Sequence, residues 1–292
     1  MNLTPKLFFS SLILLASLPG FAQDQFDPTL PGAIVKTYKE VGDKPLVLNI
    51  FYPENRSESL PAVIFFFGGG WRNGSPVQFL HHCEYLASRG IIAISAEYRV
   101  KSRDNTTPFE AVADAKSAIR YLRNHAADLG IDPERIVAGG GSAGGHLAAC
   151  TALIEGVNET GEDQNISSKP QLLILFNPAL DLLELAKDRL GEKVVEISPM
   201  QHIALSAPPT LIFHGTADSV VPIDQVFRFR DKMHDFGNLC QVVAYKNQGH
   251  AFFNYGKSDH KYFKHTVYLM DRFLAAHGYL EGDPTIELLV VE

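Results

Sequence analysis

Arg135-Ile136-Val137-Ala138-Gly139-Gly140-Gly141-Ser142-Ala143-Gly144-Gly145-His146 is the stretch on which the fold turns. An apolar run over Arg135–Ala138 reads as a strand, and His146–Leu153 reads as the helix that follows it. A strand-to-helix turn this sharp crowds the backbone. Glycine two residues before the serine and two after it removes the Cβ atoms that would clash. A serine at the apex is pushed out at the carboxyl edge of the sheet, above a helix N-terminus, where it can act as a nucleophile. Taken alone, six residues of this kind also fit a glycine-rich turn with an incidental serine. The strand before and the helix after them decide against that.

Outward from the turn, short β-rich runs alternate with helical stretches, the pattern of a mostly parallel sheet covered on both faces. Strands are predicted near Ile34–Tyr38, Leu46–Tyr52, Ala62–Phe67, Ile91–Glu97, Arg135–Ala138, Leu172–Asn177, Thr210–His214 and Gln241–Tyr245. Leu46–Tyr52 alternates and Ala62–Phe67 is continuously apolar, which predicts an edge strand followed by a central one. The clearest helix begins at Thr107-Pro108-Phe109-Glu110, a capping box with proline at the first helical position. Val112, Ala115, Ile119, Leu122 and Ala126 continue it as one apolar stripe, and Gly130 is placed to stop it. Asp114 on this helix reads as a brace. The Asn-x-Ser/Thr triplets at Asn105, Asn158 and Asn165 mark loops, and residues Ala179–Ser198 form a short insertion of the kind that makes a lid.

Three further loops carry chemistry. Phe65-Phe66-Phe67-Gly68-Gly69-Gly70-Trp71 follows the third strand, and its glycines let main-chain N–H groups face a pocket. Gly69, with Gly68 as second donor and the N–H of Ala143 across from them, is the expected oxyanion site of an acyl-transfer reaction. His214-Gly215-Thr216-Ala217-Asp218 follows the seventh strand, and Gln248-Gly249-His250-Ala251-Phe252-Phe253 follows the eighth. His250 is the expected general base, and Asp218 the carboxylate that fixes its tautomer. Asp224 and Glu97 are the alternative acids, but neither lies immediately past the right strand. Trp71 and Phe252 flank the proposed catalytic loops and are the candidate substrate-binding residues. His146 and His214 read as scaffold hydrogen-bonding groups.

At the N-terminus, Lys6, the apolar run Leu7–Leu18 and the small residues ending at Ala22 have the layout of a secretory signal, too short to span a bilayer. A cleaved signal of 22 residues leaves one catalytic domain over 23–292 and predicts a secreted or periplasmic protein without a stable membrane anchor. The formal net charge is −7, and no basic run suits a polyphosphate backbone, so nucleic acid is not an expected partner. Cys83, Cys150 and Cys240 are too few and odd in number for a disulfide framework and read as free core thiols, with a single bridge the alternative in an oxidising compartment. His81-His82-Cys83-Glu84 looks like a metal cluster, but neighbours on a helix point apart, so no metal or other cofactor is expected.

The Gly68-Gly69-Gly70-Trp71 loop, Tyr98-Arg99, Gly140–His146 and the Asp218 and His250 loops together resemble the α/β-hydrolase superfamily. The resemblance runs from Leu46 to Leu274 and is nearest the hormone-sensitive-lipase-like and acetylxylan or feruloyl esterase-like branch. It implies the α/β-hydrolase fold, with a mostly parallel eight-stranded sheet, and a Ser142–His250–Asp218 triad working through an acyl-enzyme. Three departures stand out. Phe67 replaces the histidine that usually opens the triple-glycine motif, so that loop's side-chain brace is missing. Gly141 stands where an acidic or polar residue is usual, and the helical cap ahead of the sheet is absent. All three imply a compact esterase with an open cleft. It would act on short acyl groups carried by small alcohols or a polysaccharide. A prolyl-oligopeptidase-type serine peptidase is the alternative enzyme. A non-catalytic binding protein would require a lost triad position.

Overall fold

The computed structural model describes residues 26–55, 59–288 and 290–291. The signal sequence expected over residues 1–22 lies outside the described residues. Eight strands appear in chain order: β1 Ile34–Val41, β2 Lys44–Phe51, β3 Leu60–Phe66, β4 Ile92–Ala96, β5 Ile131–Gly141, β6 Leu172–Phe176, β7 Thr210–Gly215 and β8 Cys240–Tyr245. They form one sheet in the order β1-β2-β4-β3-β5-β6-β7-β8. β1 and β2 join antiparallel, and every pairing from β4 to β8 is parallel. All the chemistry-bearing loops therefore leave the same edge of the sheet, at the carboxyl ends of β3, β5, β7 and β8, where open α/β sheets bind ligands.

Both faces are covered, so the central strands are apolar on both sides. Along β3, Ala62, Ile64 and Phe66 enter one core with Val112, Leu147 and Phe229, whereas Val63 and Phe65 enter the other with Leu86, Phe263 and Val267. The helix Pro108–Asn124 starts as its sequence predicts, with the Thr107 hydroxyl accepting from the Phe109 N–H and Glu110 accepting from the Thr107 N–H. Gly130 ends the following turn at φ +69°. Asp114 accepts both from Arg99, at 2.8 and 2.6 Å, and from Lys39 at 2.7 Å, which ties this helix to β1 and to the segment that follows β4.

The expectation of an edge at Leu46–Tyr52 is corrected. β1 is the edge strand and exposes most of its side chains, while Leu46–Phe51 is buried throughout. Asn49 made the sequence look alternating. It is fully buried, its Oδ1 accepting from the Leu30 N–H and its Nδ2 donating to the Pro28 and Ser95 carbonyls. Cys83, Cys150 and Cys240 are buried and free. No helix among the described residues is long and apolar enough to cross a membrane.

Candidate active site

Ser142 sits at the apex between β5 and the helix Ala143–Leu153 with φ 54° and ψ −117°, a conformation that non-glycine residues adopt only when the surroundings impose it. Those surroundings are tight. A Cβ on Gly140 would stand 2.5 Å from the Phe66 carbonyl oxygen, and one on Gly144 would stand 1.9 Å from the same atom. Both glycines are thus required by contact with β3. The Ser142 N–H donates to the Phe176 carbonyl at 2.8 Å, which holds the apex against β6 and leaves the hydroxyl facing outward.

The hydroxyl meets His250. Ser142 Oγ lies 2.9 Å from His250 Nε2, and His250 Nδ1 lies 2.7 Å from Asp218 Oδ2. Asp218 is itself fixed by four donors. Its Oδ1 accepts the Val220 and Val221 N–H groups at 2.9 and 3.0 Å, and His214 Nε2 stands 3.3 Å from Oδ2. Burial alone raises the Asp218 pKa, but the hydrogen bonds from His214, His250, Val221 and Val220 outweigh it and hold the carboxyl well below the usual range. The carboxylate is therefore held in its ionised form beside His250. Neither alternative acid is in place: Asp224 is exposed in the next helix, and Glu97 is buried by Lys44, whose Nζ lies 3.6 Å away. His214 serves the scaffold as expected, its Nε2 also lying 2.9 Å from the Val221 carbonyl oxygen.

In the triple-glycine loop, Gly69 has φ +129° and would bring a Cβ within 2.2 Å of the Asn73 carbonyl oxygen, so only glycine fits. Gly68 is corrected as an oxyanion donor, because its N–H is already given to Gln78 Oε1 at 2.6 Å. Gly70, at φ +63°, lines the cavity beside Ser142 and Ala143 in its place. The brace that Phe67 cannot supply comes from two other residues. Tyr98 donates its hydroxyl to the Phe67 carbonyl at 2.6 Å, and Gln78 takes the next N–H. Gln78 Nε2 also donates to Asn254 Oδ1 at 2.9 Å, four residues past His250. A second residue outside the sequence reading, Asn177 at the end of β6, accepts the Ala251 N–H at 3.0 Å. Its position directly after a strand was the available signal; for Gln78 there was none.

The cavity over Ser142 measures about 460 Å³ and is lined by Gly70, Trp71, Ala143, Leu183 and Val221 among others. Trp71 is where the sequence expects it. Its indole N–H donates to His146 Nδ1 at 3.2 Å, and His146 Nε2 donates to the Ile197 carbonyl at 2.6 Å. Burial pulls the His146 pKa down to about 4, so the ring is neutral and carries this one tautomer. The chain from Trp71 through His146 to Ile197 ties the 179–198 insertion to the triple-glycine loop. Phe252 is corrected as a substrate-binding residue. It points away from the cleft into the core, with Tyr245 at 4.6 Å and Tyr262 at 5.8 Å between ring centres. Among the described residues no group of three or more His, Cys, Asp or Glu side chains is placed to hold a metal ion.

The chain is similar to proteins already known. The BD-FAE family model matches residues 48–188, and the Prolyl oligopeptidase family model matches residues 174–277. Thermogutta terrifontis esterase 2, solved after phosphorylation by paraoxon, is 47% identical with a TM-score of 0.83, covering 87% of this chain and 97% of that one. The same esterase solved with propionate bound is 45% identical with a TM-score of 0.83, again covering 87% of this chain and 97% of that one. An Arabidopsis thaliana protein named "Probable isoprenylcysteine alpha-carbonyl methylesterase" is 30% identical over 80% of this chain and 54% of its own length. The chain thus spans about half the length of the curated relatives it matches. It belongs to the α/β-hydrolase esterases.

Proposed function

We propose that this chain hydrolyses carboxylic esters with short acyl groups through a Ser142 acyl-enzyme. The observation that carries the reading is the unbroken relay from Ser142 Oγ to His250 at 2.9 Å and from His250 to Asp218 at 2.7 Å. As Oγ attacks the carbonyl carbon, its proton passes to His250 Nε2, and Asp218 stabilises the imidazolium that forms. The carbonyl oxygen, now an anion, takes the N–H groups of Gly69, Gly70 and Ala143. His250 returns the proton to the alcohol oxygen, the C–O bond breaks and the alcohol leaves. Water then repeats the sequence on the acyl-enzyme and releases the acid.

Propionate and butyrate bound to the Thermogutta terrifontis esterase support a short acyl group here. Export, read from residues 1–22, supports a substrate outside the cytoplasm, such as an esterified polysaccharide. The test is a fluorophosphonate probe followed by a panel of 4-nitrophenyl esters from acetyl to decanoyl, with matched amides. Labelling of the wild type, lost in a folded Ser142→Ala variant, is the expected result. Turnover should peak at four carbons or fewer, since each extra methylene gains about 0.8 kcal/mol only where a pocket takes it out of water. A steady rise through octanoyl would overturn the short-acyl reading. Faster hydrolysis of the amides would favour the peptidase alternative.

A further inference from the structure

Beside the cavity over Ser142 a second one, of about 480 Å³, shares Gly70, Trp71 and Arg189 with it and continues past the indole. Its remaining lining includes Arg72, Lys101, Asn105 and Thr107, and no acidic side chain. Three cations thus border one groove of a protein whose net charge is −7. They are scattered in the sequence and meet only in the fold. None of the three has a carboxylate within 4.0 Å among the described residues, whereas Lys39, Lys44, Arg89, Arg99, Arg120 and Arg228 all do. Glu184 and Asp188 line only the neighbouring cavity, and Glu184 is held by Arg228.

The backbone beneath the groove is fixed. The Lys101 N–H donates to the Trp71 carbonyl at 3.0 Å and the Ser102 N–H to the Arg72 carbonyl at 2.9 Å, stapling the start of the Lys101–Asp104 turn to the segment that leaves the triple glycines. Trp71 itself holds φ +59°, the left-handed region, and lines both cavities, with Arg72 following it into the lining of the second. The Arg189 guanidinium lies 5.8 Å from the centre of the Trp71 ring, over the passage between the two cavities. Unpaired cations with no lining acid make a local positive field, and an arginine fork matches a planar carboxylate.

We infer that this groove is a subsite for an anionic substituent, a carboxylate or sulfate, on the part of the ester that runs past Trp71. The inference rests on the esterase reading above; with a short acyl group, the part long enough to reach the groove is the alcohol half. An acidic sugar ester is the substrate class that fits: the acetyl group is transferred to Ser142 while the acid of the sugar meets Arg72, Lys101 and Arg189.

The experiment compares kcat/KM for three acetylated methyl galactosides that differ at carbon 6: carboxylate, sulfate or hydroxyl. At low ionic strength the anionic esters should exceed the neutral one by about fivefold to thirtyfold, as expected for a few solvent-exposed charge pairs. That ratio should fall toward one in 0.5 M salt, because screening acts on exposed pairs. It should fall likewise in an Arg72→Gln/Lys101→Gln variant. Taking the ratio within each variant cancels any loss of folded enzyme. A ratio near one in the wild type, or a ratio untouched by the double substitution, would overturn the subsite. Preference for a succinyl over a butyryl ester, without preference among the galactosides, would overturn the placement on the alcohol half. If none of the esters is turned over, the esterase reading fails. Calorimetric binding of trigalacturonate, present in the wild type and lost in the double variant, then decides the subsite by itself.

Discussion

Gln78→Met removes the two hydrogen bonds that clamp the oxyanion strand to the His250 loop while keeping the length of the side chain. Gln78 is well placed for this role. It lies in the turn Pro76–Phe79, which is anchored by the Ser95 hydroxyl on the Pro76 carbonyl at 2.7 Å and by the Phe79 ring stacked on Phe65 at 4.6 Å. From that base it accepts the Gly68 N–H at 2.6 Å and donates to Asn254 at 2.9 Å. Leaving the Gly68 N–H without its acceptor costs roughly 1–3 kcal/mol if nothing replaces it, and Gly68 is half-exposed, so water brings the loss of stability to about 1 kcal/mol. The catalytic effect is larger. Deleting a whole oxyanion donor costs about 10²–10³ in kcat, and here the Gly69 donor is displaced, not deleted. The expected result is a kcat about 10–100-fold lower with KM within about twofold, because the ground-state carbonyl depends little on this N–H. Steady-state hydrolysis of 4-nitrophenyl propionate measures both. A trifluoromethyl ketone, whose adduct with serine carries the same oxyanion, should lose affinity in proportion to kcat/KM, while inhibition by propionate stays put. Asn254→Leu breaks only the link to the His250 loop and should cost less. A folded Gln78→Met enzyme with kcat within twofold of wild type would refute the clamp, as would a raised KM at unchanged kcat.

Asp218→Asn should lower kcat by about 10⁴-fold, the order found in serine proteases when the imidazole tautomer is no longer fixed, whereas Asp224→Asn should change it by less than about threefold; the reverse ranking in steady-state assays would move the acid to Asp224. Stability should fall as pH drops from about 6.5 toward 4. Burial pulls the pKa of His82 down to about 3 and that of His146 to about 4, so in this window the unfolded chain binds protons that the folded one refuses. Each such histidine contributes a slope of about 1.4 kcal/mol per pH unit, fully relieved above the unfolded value near 6.5, and denaturant melts across the range measure it. His82→Leu should flatten that slope and raise stability at pH 7 by about 1 kcal/mol, because neither ring nitrogen of His82 has a hydrogen-bond partner among the described residues. A steeper slope, or a large loss at pH 7, would show that the ring is needed by its aromatic neighbours.

What the sequence made legible is what local sterics and chain order determine. Gly140 and Gly144 announce the turn at Ser142 because no other residue fits against Phe66, and the acid and histidine follow at the ends of their own strands. The capping box at Thr107 is local in the same way. The misreadings all concern where a side chain or N–H is aimed, which depends on residues far away in the chain. Phe252 stands two positions from His250, yet the loop turns it onto Tyr245 and Tyr262 and out of the cleft. Gly68 has a donor's position but not a free donor, because Gln78 reaches back across ten residues to occupy it. The alternation of Leu46–Tyr52 suggested an edge strand, yet its polar residue Asn49 is fully buried and holds the chain at Pro28–Leu30. The same limit applies to the groove past Trp71: Arg72, Lys101 and Arg189 are ordinary surface cations in the sequence, and only the staple between Trp71 and Lys101 and the helical turns after β6 bring them together. The turn at Ser142 is thus written locally, while the aim of the groups around it, in the clamp at Gln78 as in the proposed groove, rests on contacts between segments that the sequence keeps far apart. Substrate choice should therefore shift with substitutions at Arg72, Lys101 or Arg189 that leave the triad's geometry alone.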